Sequence, residues 1–221
     1  MPRKDFDRDL RMLQDELLLQ GSMVEKAIAK SVDALKSRNA EVAQEVIDED
    51  DIIDLKRFEI EERCIDLIAT QQPLAGDLRI LITVLHVTGE LERIGDYAEG
   101  IAKISLMMGT EPPLKPLIDI PRMAEKSMDM LRRGLDAFVN RDVVASMVIM
   151  NEDDEIDDLY EQVFQELLTY MMADSHAVKR ATHLLWVAHD LERIADRTTN
   201  IAERVVYLVT GKLVEAGAPE N

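Results

Sequence analysis
The chain spells one segment twice. Leu91-Glu92-Arg93-Ile94-Gly95-Asp96 returns as Leu191-Glu192-Arg193-Ile194-Ala195-Asp196, with five of six letters the same. The match extends from Leu85-His86-Val87 against Leu185-Trp186-Val187 down to Ile101-Ala102 against Ile201-Ala202. A match of that length covers a whole helix, so the chain is a tandem duplication, and the fold of one half constrains the fold of the other.

Composition settles the class of fold. Ala, Leu, Ile, Met and the charged residues dominate, aromatics make up only 4%, and there are 9 glycines and 7 prolines. That is the vocabulary of long helices. Four of the seven prolines, Pro112, Pro113, Pro116 and Pro121, cluster after Gly109, where they remove backbone donors and forbid helix continuation. The boundary between halves is expected there, giving units 1–110 and 111–221, each of a size that can fold alone. Asn39, the Gln72-Pro73-Leu74-Ala75-Gly76 turn, Asp119, Asn140-Arg141-Asp142 and Asp174-Ser175 punctuate the rest. The predicted helices run over 5–37, 40–70, 75–108, 120–139, 142–172 and 176–210. In the third, Ile80, Val84, Val87, Leu91, Ile94, Ala98 and Ile101 keep one face apolar, and Leu184, Val187, Leu191, Ile194, Thr198, Ile201, Val205 and Leu208 do the same in the sixth. Short connections then make each half an antiparallel three-helix bundle, and the whole an all-α pseudo-twofold molecule.

The 44 acidic residues against 26 basic give a formal charge of −18, which repels nucleic-acid backbones and anionic lipid surfaces. Cys64 is the only cysteine, excluding an intrachain disulfide and any Cys-x-x-Cys zinc site. Met1-Pro2-Arg3-Lys4-Asp5 leads into charged sequence, and no apolar run approaches the roughly 20 residues that a spanning helix needs. A cytoplasmic protein is expected, meeting membranes only through partners.

Beside the apolar seam of the third helix, Glu92, Asp96 and Glu99 form an acidic ridge. The sixth repeats Glu192 and Asp196, places Thr199 where Glu99 stood, and adds Asn200 and Glu203. Acidic openings on the second and fifth helices, Asp50 with Asp54 and Asp153 with Asp157, complete two matching sets. Like charges at i, i+4 repel by about a few tenths of a kcal/mol each, so something should offset them. One reading is a hard-metal site where carboxylates from neighbouring helices converge. The other is a solvated acidic face bridged locally by Arg93 or Arg193.

No histidine stands three residues after a Glu, which excludes the Glu-x-x-His pattern of ferritin-like di-iron bundles. His189 precedes Glu192 by three and could join a site in the second half alone, or serve as a surface or interhelical hydrogen-bonding residue. Trp186 and His86 flank the apolar stripe and read as packing; the 12 methionines read as adaptable core filler. There is no Gly-rich phosphate loop, Gly-x-Ser-x-Gly elbow or His-Glu-x-x-His. The basic positions are scattered, which argues against direct phosphate binding.

Together, the duplicated Leu-Glu-Arg-Ile-(Gly/Ala)-Asp segment, the Asp-x-x-x-Asp openings and the Gln71-Gln72-Pro73-Leu74-Ala75-Gly76-Asp77-Leu78-Arg79 turn resemble the PhoU family of phosphate-signalling regulators over nearly the whole chain. The resemblance implies a non-enzymatic adaptor between the ATPase subunit of a phosphate ABC transporter and a phosphate-sensing histidine kinase, restraining the starvation response when phosphate is plentiful. It also implies metal binding through Glu/Asp-x-x-x-Asp pairs, here Asp50 with Asp54, Glu92 with Asp96, Asp153 with Asp157, and Glu192 with Asp196, with Glu99 beside the first set. Iron, zinc, magnesium and manganese are the candidate ions. The second half departs at its turn, Met172-Ala173-Asp174-Ser175-His176-Ala177, which is shorter. A homodimer is expected from the flat exposed faces. The alternative function is a metal-dependent enzyme or metal store built on the carboxylate clusters.

Overall fold
The repeated apolar stripe sets the architecture. A computed structural model describes residues 3–212, as helices α1 (Arg3–Ser37), α2 (Ala40–Gln71), α3 (Ala75–Met108), α4 (Asp119–Asn140), α5 (Val143–Ala173) and α6 (Val178–Thr210), with a 3-10 turn at Ser175–Ala177. Every residue of the two predicted stripes is buried. The α1 helix has 35 residues, about 50 Å at 1.5 Å per residue.

Corner chemistry explains where helices stop. Asn39 Oδ1 accepts from the amides of Glu41 and Val42 at 3.0 and 3.2 Å, and Asp142 Oδ1 accepts from Ala145 N at 3.0 Å, so both residues cap the following helix from outside it. The sixth helix begins two residues later than its predicted start. Asp174 Oδ1 takes the His176 amide at 2.9 Å and Asp174 O takes that of Ala177, winding this stretch into the tighter turn. The last helix ends on Gly211 at φ 72, and α3 on Gly109 at φ 55, conformations that glycine adopts without a Cβ penalty.

The helices α3 and α6, the two copies of the repeated segment, pack on one another, and α1 packs on α4; α2 lies against α1 and α3, and α5 against α4 and α6. Four helices therefore form the middle and two flank it, and one apolar core runs through both halves. Gly21 on α1 leaves room for the Leu135 side chain of α4, since a Cβ there would meet Leu135 Cδ1 at 2.3 Å and turn that side chain aside. Deep inside, Gln20 Nε2 donates to Thr88 O at 3.2 Å and the Thr88 hydroxyl donates to Gln20 Oε1 at 2.7 Å, so two fully buried polar groups satisfy one another. Met123 and Met130 fill the core, whereas Met107 and Met172 are exposed. Trp186 tilts against the His183 ring at 5.6 Å but keeps 48% of its surface open, so it packs less fully than its place beside the stripe predicts.

Candidate functional site
Because side chains one position beyond a buried stripe lie at its border, the acidic ridge of α3 faces the flank of α2, with Glu92 and Glu99 half-buried and Asp96 at the exposed rim. Gly95 brings the two helices close there: a Cβ on it would lie 3.1 Å from Asp50 Oδ1 and 3.3 Å from Ile53 Cγ2. Asp50, Asp54 and Asp96 each present a carboxylate oxygen within 4.8 Å of the others, and among the described residues this is the one such group of three. Burial, followed by the charges of Glu99, Asp96 and Asp54, pushes the Asp50 carboxyl up to about 7, with Lys103 opposing. Asp96 is raised as well, first by burial and then by Glu92, Asp54 and Glu99.

The remaining predicted members of this half find cations of the protein's own. Arg57 Nη1 donates to Glu92 Oε1 at 2.7 Å while its Nε holds Glu61 at 2.8 Å, and Lys103 sits 2.5 Å from Glu99. The predicted local bridge by Arg93 goes elsewhere, to Glu90 at 3.7 Å. Lys103 is readable in the sequence as the i+4 partner of Glu99; Arg57 is not, because its reach to Glu92 crosses between helices.

The second half keeps the acidic positions Asp153, Asp157, Glu192 and Asp196, but no three of them bring carboxylate oxygens within 4.8 Å of one another, and their companions differ. Burial, then Asp196, Asp157, Glu192 and Asp154, pushes Asp153 up to about 7. Asp157 is raised by burial and by Asp196, Asp154 and Asp158. Glu192 is raised by burial and Asp196, with His189 pulling the other way. His189 Nδ1 lies 3.1 Å from Glu192 Oε2 and its ring tilts towards Tyr160 at 6.1 Å. Arg193 Nη1 donates to Asp196 Oδ2 at 2.5 Å, and nearby Tyr97 of the first half raises the Arg193 pKa, so the local bridge envisaged for Arg193 forms here. Where the first half has Glu99 with Lys103, the second has Thr199 with Glu203: the acid and its lysine are both replaced.

Two atoms test whether a cation fits. Asp54 Oδ1 and Asp153 Oδ1 are buried without a hydrogen-bond partner, one in each cluster. A buried carboxylate oxygen lacking a donor is costly, and a divalent ion supplies what such an oxygen lacks. An all-oxygen donor set suits hard cations best. The residues present fit a magnesium- or manganese-type ion at Asp50, Asp54 and Asp96, and His189 adds a nitrogen within reach of the second cluster.

A duplicated helical bundle carrying acidic positions at matching places in both halves, convergent in the first, defines a class of all-α proteins built from two repeats. A family model described as "PhoU domain" matches residues 17–105 and again 120–205. The "Phosphate-specific transport system accessory protein PhoU homolog" of Clostridium acetobutylicum is 42% identical over 97% of this chain and 99% of its own length. The Escherichia coli "Phosphate-specific transport system accessory protein PhoU" is 32% identical over 94% and 86%. The crystal structure of PhoU from Pseudomonas aeruginosa superposes with a TM-score of 0.89 at 34% identity, covering 94% of this chain and 100% of the other. That of the phosphate transport system regulatory protein PhoU from Streptococcus pneumoniae gives 0.88 at 33%, covering 95% and 99%. This chain belongs to the PhoU family.

Proposed function
We propose that the chain is an accessory regulator of phosphate uptake. It acts as a non-catalytic adaptor between the ATPase subunit of a phosphate ABC transporter and a phosphate-sensing histidine kinase, and represses the starvation response when phosphate is abundant. The accessory and regulatory names of relatives matched over nearly their whole length support the role. No helix among the described residues is long and apolar enough to cross a membrane; in this reading the protein is cytoplasmic and reaches the membrane through its partners. The observation carrying the mechanism is the pair of carboxylate clusters, each with an orphaned buried oxygen.

In this reading the clusters take hard divalent cations and give the α2–α3 and α5–α6 flanks their docking shape. The surplus negative charge governs association rate and partner choice more than affinity. Pull-down by the purified ATPase subunit and by the kinase's cytoplasmic portion, with Glu92, Asp96, Glu192 and Asp196 changed together to amides, tests it. The folded quadruple variant should lose capture and should fail to restore repression of a starvation reporter in phosphate-replete cells lacking their own protein of this family. Full capture by that variant would remove the clusters from the docking face. Elemental analysis of protein purified without chelator reads out the cations separately.

A further inference from the structure
Lys36, Arg38, Lys115, Lys179 and Arg180 are scattered in the sequence, but the fold gathers them at one end, where the α1–α2 corner, the linker after α3 and the start of α6 meet. In a chain of net charge −18 this end is a local exception. Arg38 stands at its centre and lines two recesses. One, beside Lys179, Arg180 and His183, encloses about 10 Å³, room for about one water. The other, beneath the linker at Lys36, Pro113 and Pro116, holds about 220 Å³, room for a small ion with part of its hydration shell.

The Arg38 side chain is oddly placed for a structural residue. Its Nη1 and Nη2 are both buried and neither makes a hydrogen bond. Burial lowers its pKa, and Glu111 only partly offsets this through space. Its backbone is left-handed, φ 56, closed by Asn39 N donating to Ala34 O at 3.1 Å, a helix-ending position where glycine is least strained. The matching corner in the second half also holds an arginine, Arg141 at φ 56, with Asp142 N donating to Ala137 O at 2.9 Å, but there the side chain is exposed. The two corners therefore share a backbone and differ in whether the guanidinium is covered.

Of the surrounding cations, Lys115 is committed to Glu166 and Asp119 and pins the linker. Arg180 spends one hydrogen on Pro112 O at 3.3 Å. No ion pair engages Lys36 or Lys179 among the described residues. The adjoining α6 begins without a side-chain cap, so its positive dipole end adds to the same field. A guanidinium presents paired donors in a planar fork that matches two oxygens of an oxyanion.

We propose that the larger recess binds a small tetrahedral oxyanion of the size and charge of inorganic phosphate or sulfate, with Arg38 as the fork and Lys36 as the flanking charge, while Lys179, in the smaller recess on the other side of Arg38, adds only its field. The group can arrive as a free ion or as a phosphoryl group on a partner. The site is independent of the carboxylate clusters and of the adaptor role. Its test therefore uses full-length protein stripped of metal with EDTA and exchanged into chelator-free buffer of low ionic strength.

Inorganic phosphate is titrated calorimetrically into the parent, Arg38→Gln, Arg38→Lys and Arg141→Gln. The parent binds one phosphate saturably. Arg38→Gln weakens binding by about tenfold or more, Arg38→Lys, which keeps the charge but loses the fork, falls between, and Arg141→Gln stays within about twofold of the parent. A phosphoserine peptide that competes more tightly than free phosphate assigns the source to a partner; weaker competition assigns it to the free ion. No saturable binding by the parent, or equal affinity of the Arg38→Gln and Arg141→Gln proteins, overturns the site. Should Arg38→Gln fail to fold, the comparison of Arg38→Lys with Arg141→Gln decides in its place.

Discussion

Changing Asp50 and Asp153 to asparagine should make the metal-free protein more stable at about pH 8, although both residues sit in the candidate cation clusters. Each carboxyl has its pKa near 7 in the fold against 3.8 as an ordinary aspartate. Between those values the folded state holds a proton that the unfolded chain has released. The stability this confers is complete below about pH 4 and is lost as pH rises through 7. Three units at about 1.4 kcal/mol each set a ceiling near 4 kcal/mol per site. Both groups are only half-buried, so solvent screening cuts this to about 1–2 kcal/mol each. Asparagine keeps the shape and cannot ionise, so the double variant should gain roughly 2–4 kcal/mol at pH 8, about a third of that near pH 5 and little below pH 4. For a chain of this size that is about 5–15 °C in Tm. Thermal melts by far-UV circular dichroism in EDTA, across pH 5 to 8, measure it. In the parent alone, magnesium or manganese should recover stability at pH 8, by about 2.7 kcal/mol at a hundred times Kd. A double variant that is no more stable than the parent at pH 8, or that keeps the parental pH slope, refutes the argument.

Three further outcomes are expected. Gly95→Ala should stay within about 1 kcal/mol of the parent, because the helix gain offsets the tight contact with Asp50 and Ile53, and Ala195 already occupies the matching position; Gly95→Val should lose about 2–3 kcal/mol in urea melts. Gln20→Met and Thr88→Val should each cost about 1–3 kcal/mol by orphaning the other's polar group, and the double variant should cost less than the two together, which a double-mutant cycle reads directly. Arg57→Gln should release Glu92 and tighten manganese binding by isothermal titration, whereas unchanged affinity would place Glu92 outside the cation's field.

The helices were legible because a seven-residue alternation of buried positions leaves little freedom: Ile80 to Ile101 and Leu184 to Leu208 each sweep one face, and all of these residues are buried. The carboxylate pairs were legible too, being repeated at i, i+4 on both copies. Their companions were not. Arg57 reaches Glu92 across a helix interface, and Arg193 comes near Tyr97 across the boundary between halves; no local spacing encodes either. The sequence also hides the difference between Arg38 and Arg141, since both follow the last turn of a helix and precede a capping Asn or Asp. Only the path of the proline-rich linker covers one and leaves the other open.

The seam between α3 and α6 joins two descendants of a single ancestral helix. In a symmetric pair of identical chains, every change on one side of the axis would be mirrored on the other. Fusion removed that obligation. On one side of the axis Glu90 takes Asn200 at 3.2 Å and Arg197 at 3.4 Å. On the other, Asp190 lies against Gly100, where a Cβ would sit 3.0 Å from its carboxylate. Position 190 has the shorter acid and position 100 the smaller partner, so the halves have specialised towards each other. Neither repeat can stand in for its twin, and swapping one for the other would set mismatched neighbours across the axis.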